Sequence, residues 1–250
     1  MSSTDEEVAE RRRIDDLYRQ GREHEMRCEL LPARRFLEQA LVAASAIGLT
    51  VMIRKAEYLL GVVSHKENNL PAARRHLETG LAMALATGDR EAEAYARQEV
   101  GFLFLGEGHP GAAHAEFLQV LGLAPGVGII NLTGNGLSGL GVAFLANGKA
   151  PEAVPLLLGA LGIRTEITDL EQQHVDLVHL AHAALLLGHR TIAARVTGFL
   201  ACSQDTRLGM YPHDRRTFAG LVSAVGTSEA ATGFEEARAL VAALTEPAVG

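Results

Sequence analysis

The residues that could do chemistry here are a glycine-rich stretch and a cluster of histidines. Gly134-Asn135-Gly136-Leu137-Ser138-Gly139 spells G-x-G-x-x-G, and the apolar run Val127 to Leu132 precedes it. Such a turn cradles a dinucleotide pyrophosphate only where it joins a strand to a helix within a βαβ unit. No further parallel strands are readable on either side, so the stretch is read as helix. Gly148-Lys149 is no phosphate loop either: that pattern needs glycine and Ser or Thr where Ala143 and Ala150 stand. His174, His179 and His182 share one expected helix with Asp176. His179 and His182 have the spacing of ligands on one helix face, but His174 points elsewhere, and no metal or other cofactor is expected. Asp176 with His179 would suit an acid–base pair, yet no nucleophile is placed beside them. His213-Asp214 follows Pro212 and reads as a helix start. Arg34-Arg35 and Arg74-Arg75 read as a solvated outer face.

The elements that position these residues follow a forty-residue register. Gly21, Gly61, Gly101 and Gly141 form one column, and Ala181 takes its fifth place. Ala33, Ala73, Ala113, Ala153 and Ala193 form a second. Asn68, Gly108, Gly148 and Gly188, with Cys28 in the first repeat, form a third. Leu37, Leu77, Phe117 and Leu157, then Thr197, form a fourth. Two antiparallel helices approach closely only where side chains are small. A glycine or asparagine between them tolerates the left-handed backbone that ends the first helix. The large apolar residue fills the space beside the crossing. First helices are expected near 6–27, 51–66, 90–106, 129–147 and 168–187. Second helices are expected near 31–47, 70–87, 110–123, 150–163 and 189–204. Thr4 with Glu7 reads as a capping box, Arg207 to Pro212 as a break, and 213–225 and 232–244 as closing helices. The tail from Glu246 to Gly250 is expected to fray. The domain reading is therefore five helix pairs over 1–206 and a cap over 207–250.

The small-residue columns resemble the tetratricopeptide repeat, although that family's usual unit is about 34 residues. The runs A-A-R-V-T-G-F-L (Ala193 to Leu200), D-R-R-T-F-A-G-L and G-F-E-E-A-R-A-L (Gly233 to Leu240) are similar to the end of the helical region of large bacterial ATP-binding transcriptional regulators. The ATPase and DNA-binding modules of those regulators are not found here. The resemblance implies an all-α fold, a right-handed superhelix of about five helix pairs with a C-terminal helical cap. Composition agrees with a cytoplasmic protein. The chain has 250 residues, two cysteines and a net charge of −7, which disfavours nucleic acid as a partner. No apolar run reaches the roughly 18 residues of a membrane span. Three lysines against abundant arginine, alanine and glycine hint at a GC-rich bacterial source.

In such a superhelix the first helices line the concave surface. The inward columns are Tyr18, Tyr58, Gln98, Ser138 and Val178, then Arg22, Val62, Phe102, Val142 and His182, then Asp15, Lys55, Tyr95, Asn135 and Val175. A fourth runs through Glu25, His65, Leu105, Leu145 and Leu185. The expected ligand-binding set is Tyr18, Arg22, Tyr58, Tyr95, Gln98, Phe102, Asn135, Ser138 and His182. Gly134, Gly136 and Gly139 are not explained by the repeat and would admit a neighbouring helix, a kink or a ligand; the site reading takes the last, with a ligand near the backbone and His182 closing the far side. The leading reading is a binding module for a peptide, a protein segment or a small effector. The alternative is a small-molecule tailoring enzyme that uses the same groove, with His182 as its catalytic group. Glu57 and Arg97, in a column otherwise held by leucines, are expected to pair across neighbouring first helices.

Overall fold

Nine residues with a left-handed backbone, spaced twenty apart, punctuate the chain: Cys28, Gly48, Asn68, Gly88, Gly108, Gly128, Gly148, Thr168 and Gly188. Each ends a helix, so the forty-residue register is two half-periods of a helix and a short loop. The loops close in one recurrent way. After Gly148, the Lys149 N–H reaches back to Phe144 O at 2.9 Å and the Gly148 N–H to Leu145 O at 2.9 Å. The same pattern recurs at His189 onto Ala184 O at 2.8 Å and at Asn69 onto Ser64 O at 2.8 Å. These bonds satisfy carbonyls that the helix end leaves without intrahelical donors. Asn69, Asp89 and Asp169 then cap the next helix, accepting from Ala72, Ala92 and Gln172 N–H groups.

The resulting structure, a computed structural model, describes residues 3–203, 210–227 and 230–245. Its helices are α1 (Ser3–Met26), α2 (Leu30–Ala46), α3 (Thr50–Lys66), α4 (Leu70–Thr87), α5 (Arg90–Gly106) and α6 (Pro110–Val127). They continue as α7 (Ile130–Ala146), α8 (Ala150–Glu166), α9 (Leu170–Leu186), α10 (Arg190–Cys202), α11 (Pro212–Val225) and α12 (Phe234–Ala242). Among the described residues there is no strand, and the G-x-G-x-x-G stretch lies wholly within α7. The chain is an all-α helical repeat. The expected ranges hold to within a few residues, except that α6 and α8 run about a turn further than expected. Pro125 does not end α6, which runs on to Val127 and stops at the left-handed Gly128. The 246–250 tail lies outside the described residues, as does the Thr4 side chain on which the expected capping box with Glu7 rests. Of the 207–212 break, 207–209 also lie outside the described residues, Met210 and Tyr211 are non-helical, and Pro212 opens α11.

The helices fall into two compact units, residues 1–103 and 104–250. In the N-terminal unit α1 packs on α2, α2 on α3 and α3 on α4. A Cβ added to Gly21 would lie 2.7 Å from Leu37, and one added to Gly61 would lie 2.6 Å from Leu77. In the C-terminal unit α6 to α10 pack in chain order, and Gly141 stands in the same relation to Leu157 at 2.6 Å. The close crossing therefore fixes both columns at once. Where the fifth pair carries Ala181 instead of glycine, the opposing register position shrinks to Thr197. The cap is bound into the same core through α11 and α12, which bury Phe218, Leu221, Ala237 and Val241. The Ala231 N–H donates to Arg195 O at 3.0 Å, and Arg195 pairs with Glu236. Among the described residues no helix is long and apolar enough to cross a membrane.

Candidate functional site

The N-terminal unit holds a cleft of about 680 Å³ walled by three first helices. α1 contributes Tyr18 and Arg22, α3 contributes Lys55 and Tyr58, and α5 contributes Glu91 and Tyr95. The inward columns bring these residues together because one forty-residue step returns a side chain to the same face of the next first helix. Tyr58 and Tyr95 meet edge to face with centroids 6.5 Å apart, and the Lys55 ammonium lies 5.8 Å over the Tyr18 ring. Two wall carboxylates are already neutralised: Asp89 by Arg54 at 2.7 Å, and Glu25 by Lys66 at 2.7 Å. Burial raises the Tyr18 phenol above its ordinary range, against the neighbouring Arg22 and Arg54. Burial raises Tyr58 well above its range, and Tyr95 is raised by burial and then by Glu91. All three phenols are therefore neutral at physiological pH, with a hydroxyl proton to donate.

The C-terminal unit holds a different arrangement, a buried polar network centred on Arg164, whose side chain is 1% exposed. Its Nη2 donates to Asn135 Oδ1 at 2.6 Å, its Nη1 to Asn131 Oδ1, and its Nε faces Asp176 Oδ2 at 3.5 Å. The Ser138 hydroxyl donates to the other Asp176 oxygen at 2.6 Å, and Gln173 Nε2 donates to the Arg164 carbonyl at 2.9 Å. Further along α9, His179 Nε2 meets Asp214 Oδ1 of α11 at 2.8 Å. His213 Nε2 stands 3.2 Å from the same oxygen, and the Tyr211 N–H donates to Asp214 Oδ2 at 3.1 Å. Burial pushes the Asp176 carboxyl up to about 6, against Arg164, the Ser138 hydroxyl and His179. Burial alone would raise Asp214 too, but His213, His179 and the Tyr211 N–H hold it down at about 2.

The structure thus divides the nine expected residues. Tyr18, Arg22, Tyr58 and Tyr95 share the cleft. Asn135 and Ser138 turn their polar groups into the network. Gln98 is buried on α5, donating to Glu99 at 2.9 Å, and Phe102 lies one turn further along that helix. His182 is half-buried on α9, its imidazole held below the ordinary range by burial and then by His179. The expected role of the extra α7 glycines needs correcting, because protein side chains already fill the space beside them. A Cβ on Gly139 would lie 2.3 Å from the Phe117 ring, one on Gly136 2.7 Å from Leu121, and one on Gly134 3.2 Å from Arg164 Nη1. Glu57 takes His76 Nδ1 at 2.6 Å, on the second helix of its own pair. Arg97 takes Glu93 at 2.8 Å, one turn back on its own helix, where less chain must be ordered to form the pair.

The network was missed although the register carries its signal. Arg164 stands in the column of Ala44, Ala84 and Ala124, and Asp176 in the column of Ala56, Ala96 and Gly136, all of them buried. Opposite charges in two columns of small buried residues can be accommodated only against each other, with polar neighbours around them. Gly134 supplies the room for the guanidinium. Among the described residues no group of three or more His, Cys, Asp or Glu side chains is placed to hold a metal ion. No protein-family model matches this chain, and no curated protein matches it in sequence.

Proposed function

We propose that this chain is a non-catalytic, cytoplasmic binding module of the tetratricopeptide type. It holds a peptide, a protein segment or a small effector against the first-helix face of its N-terminal unit. The observation that carries this reading is the meeting of Tyr18, Arg22, Tyr58 and Tyr95, from three different helices, in one cleft. Mass spectrometry of the native purified chain identifies what it retains, and calorimetry with that compound measures the affinity. Tyr95→Ala and Arg22→Gln should release it with the helical circular dichroism unchanged. Undiminished retention by both variants would refute the reading.

A further inference from the structure

We propose that the cleft between α1, α3 and α5 takes a small organic anion with a flat aromatic body, its negative group held by Arg22 and Lys55 and its ring set among Tyr18, Tyr58 and Tyr95. This rests on the cleft being the ligand site and names the ligand's class.

Charge gives the first argument. The Arg54–Asp89 and Lys66–Glu25 pairs cancel two wall carboxylates. Arg22 and Lys55 are exposed on the adjacent helices α1 and α3, and among the described residues neither has a carboxylate partner. Glu91, in the first turn of α5, is the remaining acidic residue of the wall. The wall's three cations thus balance its three carboxylates in number, with Glu99 also acting on Tyr58, but two of those carboxylates are held in pairs and Arg22 and Lys55 are not, so the positive charge open to a ligand is theirs. Arg22 lines the cleft with Tyr18 and Tyr95, and its charge lowers both phenols against the burial that raises them. A guanidinium and an ammonium lining one cleft recognise the oxygens of a carboxylate or phosphate through charge-assisted hydrogen bonds.

Shape and wall chemistry give the second. At about 680 Å³ the cleft has the size of a small-molecule site. Three tyrosines supply flat, rigid surface with little side-chain freedom to lose on binding. They also supply neutral hydroxyls that donate to an anion. The wall contains no Asn, Gln, Ser or Thr. An extended peptide presents a backbone donor and acceptor at nearly every residue, and this wall has no neutral amide to meet them. That favours a compact anion over a peptide.

The test is calorimetry on the full chain at low salt with 2-naphthoate, 2-naphthamide, hexanoate and an acetylated pentapeptide ending in phenylalanine. 2-Naphthoate should bind, with the amide and the aliphatic acid weaker by about tenfold or more, the loss of one charge-assisted or stacking contact. Arg22→Gln and Lys55→Gln should each weaken 2-naphthoate by about the same factor. Both side chains are exposed, so the melting temperature should not move, and the naphthoate affinity should fall with added salt. Equal affinity for 2-naphthamide would overturn the anion. If Tyr95→Ala still abolished that binding, the cleft would stand as a ligand site. Tighter binding of the pentapeptide, or no heat with 2-naphthoate at millimolar concentration, would overturn the small aromatic anion. A retained native compound unaffected by Tyr95→Ala would overturn the cleft reading with it.

Discussion

Gly139→Ala separates two accounts of the extra α7 glycines, room for a ligand or room for a neighbouring helix. On propensity alone the substitution should stabilise a helix interior by about 1 kcal/mol. The new methyl would stand 2.3–2.4 Å from three atoms of the Phe117 ring, which is fully buried and has no flexible end to swing aside. Overpacking of that kind costs about 1–3 kcal/mol, so the expected net loss is about 1–2 kcal/mol. Two controls calibrate it. Gly162→Ala, with nothing within 4 Å of the new Cβ, should gain up to about 1 kcal/mol. Gly136→Ala meets Cδ2 and Cγ of the half-buried Leu121 at 2.7 and 2.8 Å, a side chain freer to turn than the Phe117 ring, and should fall between Gly139→Ala and Gly162→Ala. Phe117→Leu copies the residue that Leu77 and Leu157 supply in this column, so it should rescue Gly139→Ala. The double variant should be more stable than the two single effects predict by about 1 kcal/mol. Guanidinium denaturation followed by helical circular dichroism reads all five variants, with unchanged slopes required because repeat arrays can lose cooperativity. If Gly139→Ala stabilised the chain as much as Gly162→Ala, the packing account would be wrong.

The buried network makes two further predictions. Asp176 titrates in the folded chain at about 6, above an unfolded value of about 4. Its contribution is therefore full below about pH 4 and declines as pH rises through 6. Asp176→Asn should flatten that fall in denaturation midpoints measured from pH 4 to 7, and an unchanged pH profile would exclude Asp176 as its source. Asp214 has the opposite sign, since its folded value of about 2 lies below the unfolded one. Asp214→Ala removes the carboxylate that joins His179 to α11, and breaking a buried pair costs about 3–5 kcal/mol. A loss below about 1 kcal/mol at neutral pH, the value of an exposed pair, would show the contact to be dispensable.

Much of the fold was legible because one constraint repeats. A left-handed residue every twenty positions fixes helix length, and a glycine facing a leucine fixes where paired helices cross. Both leave residue types that recur in columns. The face on which Tyr18, Tyr58 and Tyr95 lie was readable for the same reason. Depth was not. Tyr58 and Ser138 occupy one inward column, as do Lys55 and Asn135, yet the first of each pair lines a cleft and the second is buried in a hydrogen-bonded network. A column states which way a side chain points and is silent about what arrives from the next helix to cover it.

What arrives in the C-terminal unit is a charge. Once Arg164 replaces the alanine of its column, the guanidinium must be buried, because the helix crossing there leaves it no route to solvent. It then requires an acid within reach, which Asp176 provides, and neutral acceptors for its remaining protons, which Asn131 and Asn135 provide. The carboxylate in turn requires a donor, and Ser138 is that donor. Each substitution away from the repeat pattern thus creates the need for the next, and the polar groups so recruited are no longer open to a ligand. In the N-terminal unit the same two columns keep alanine at Ala44, Ala84, Ala56 and Ala96. There Tyr18 and Tyr58 pack against the hydrophobic core while still lining the cleft, and Arg22 and Lys55 stay exposed on it.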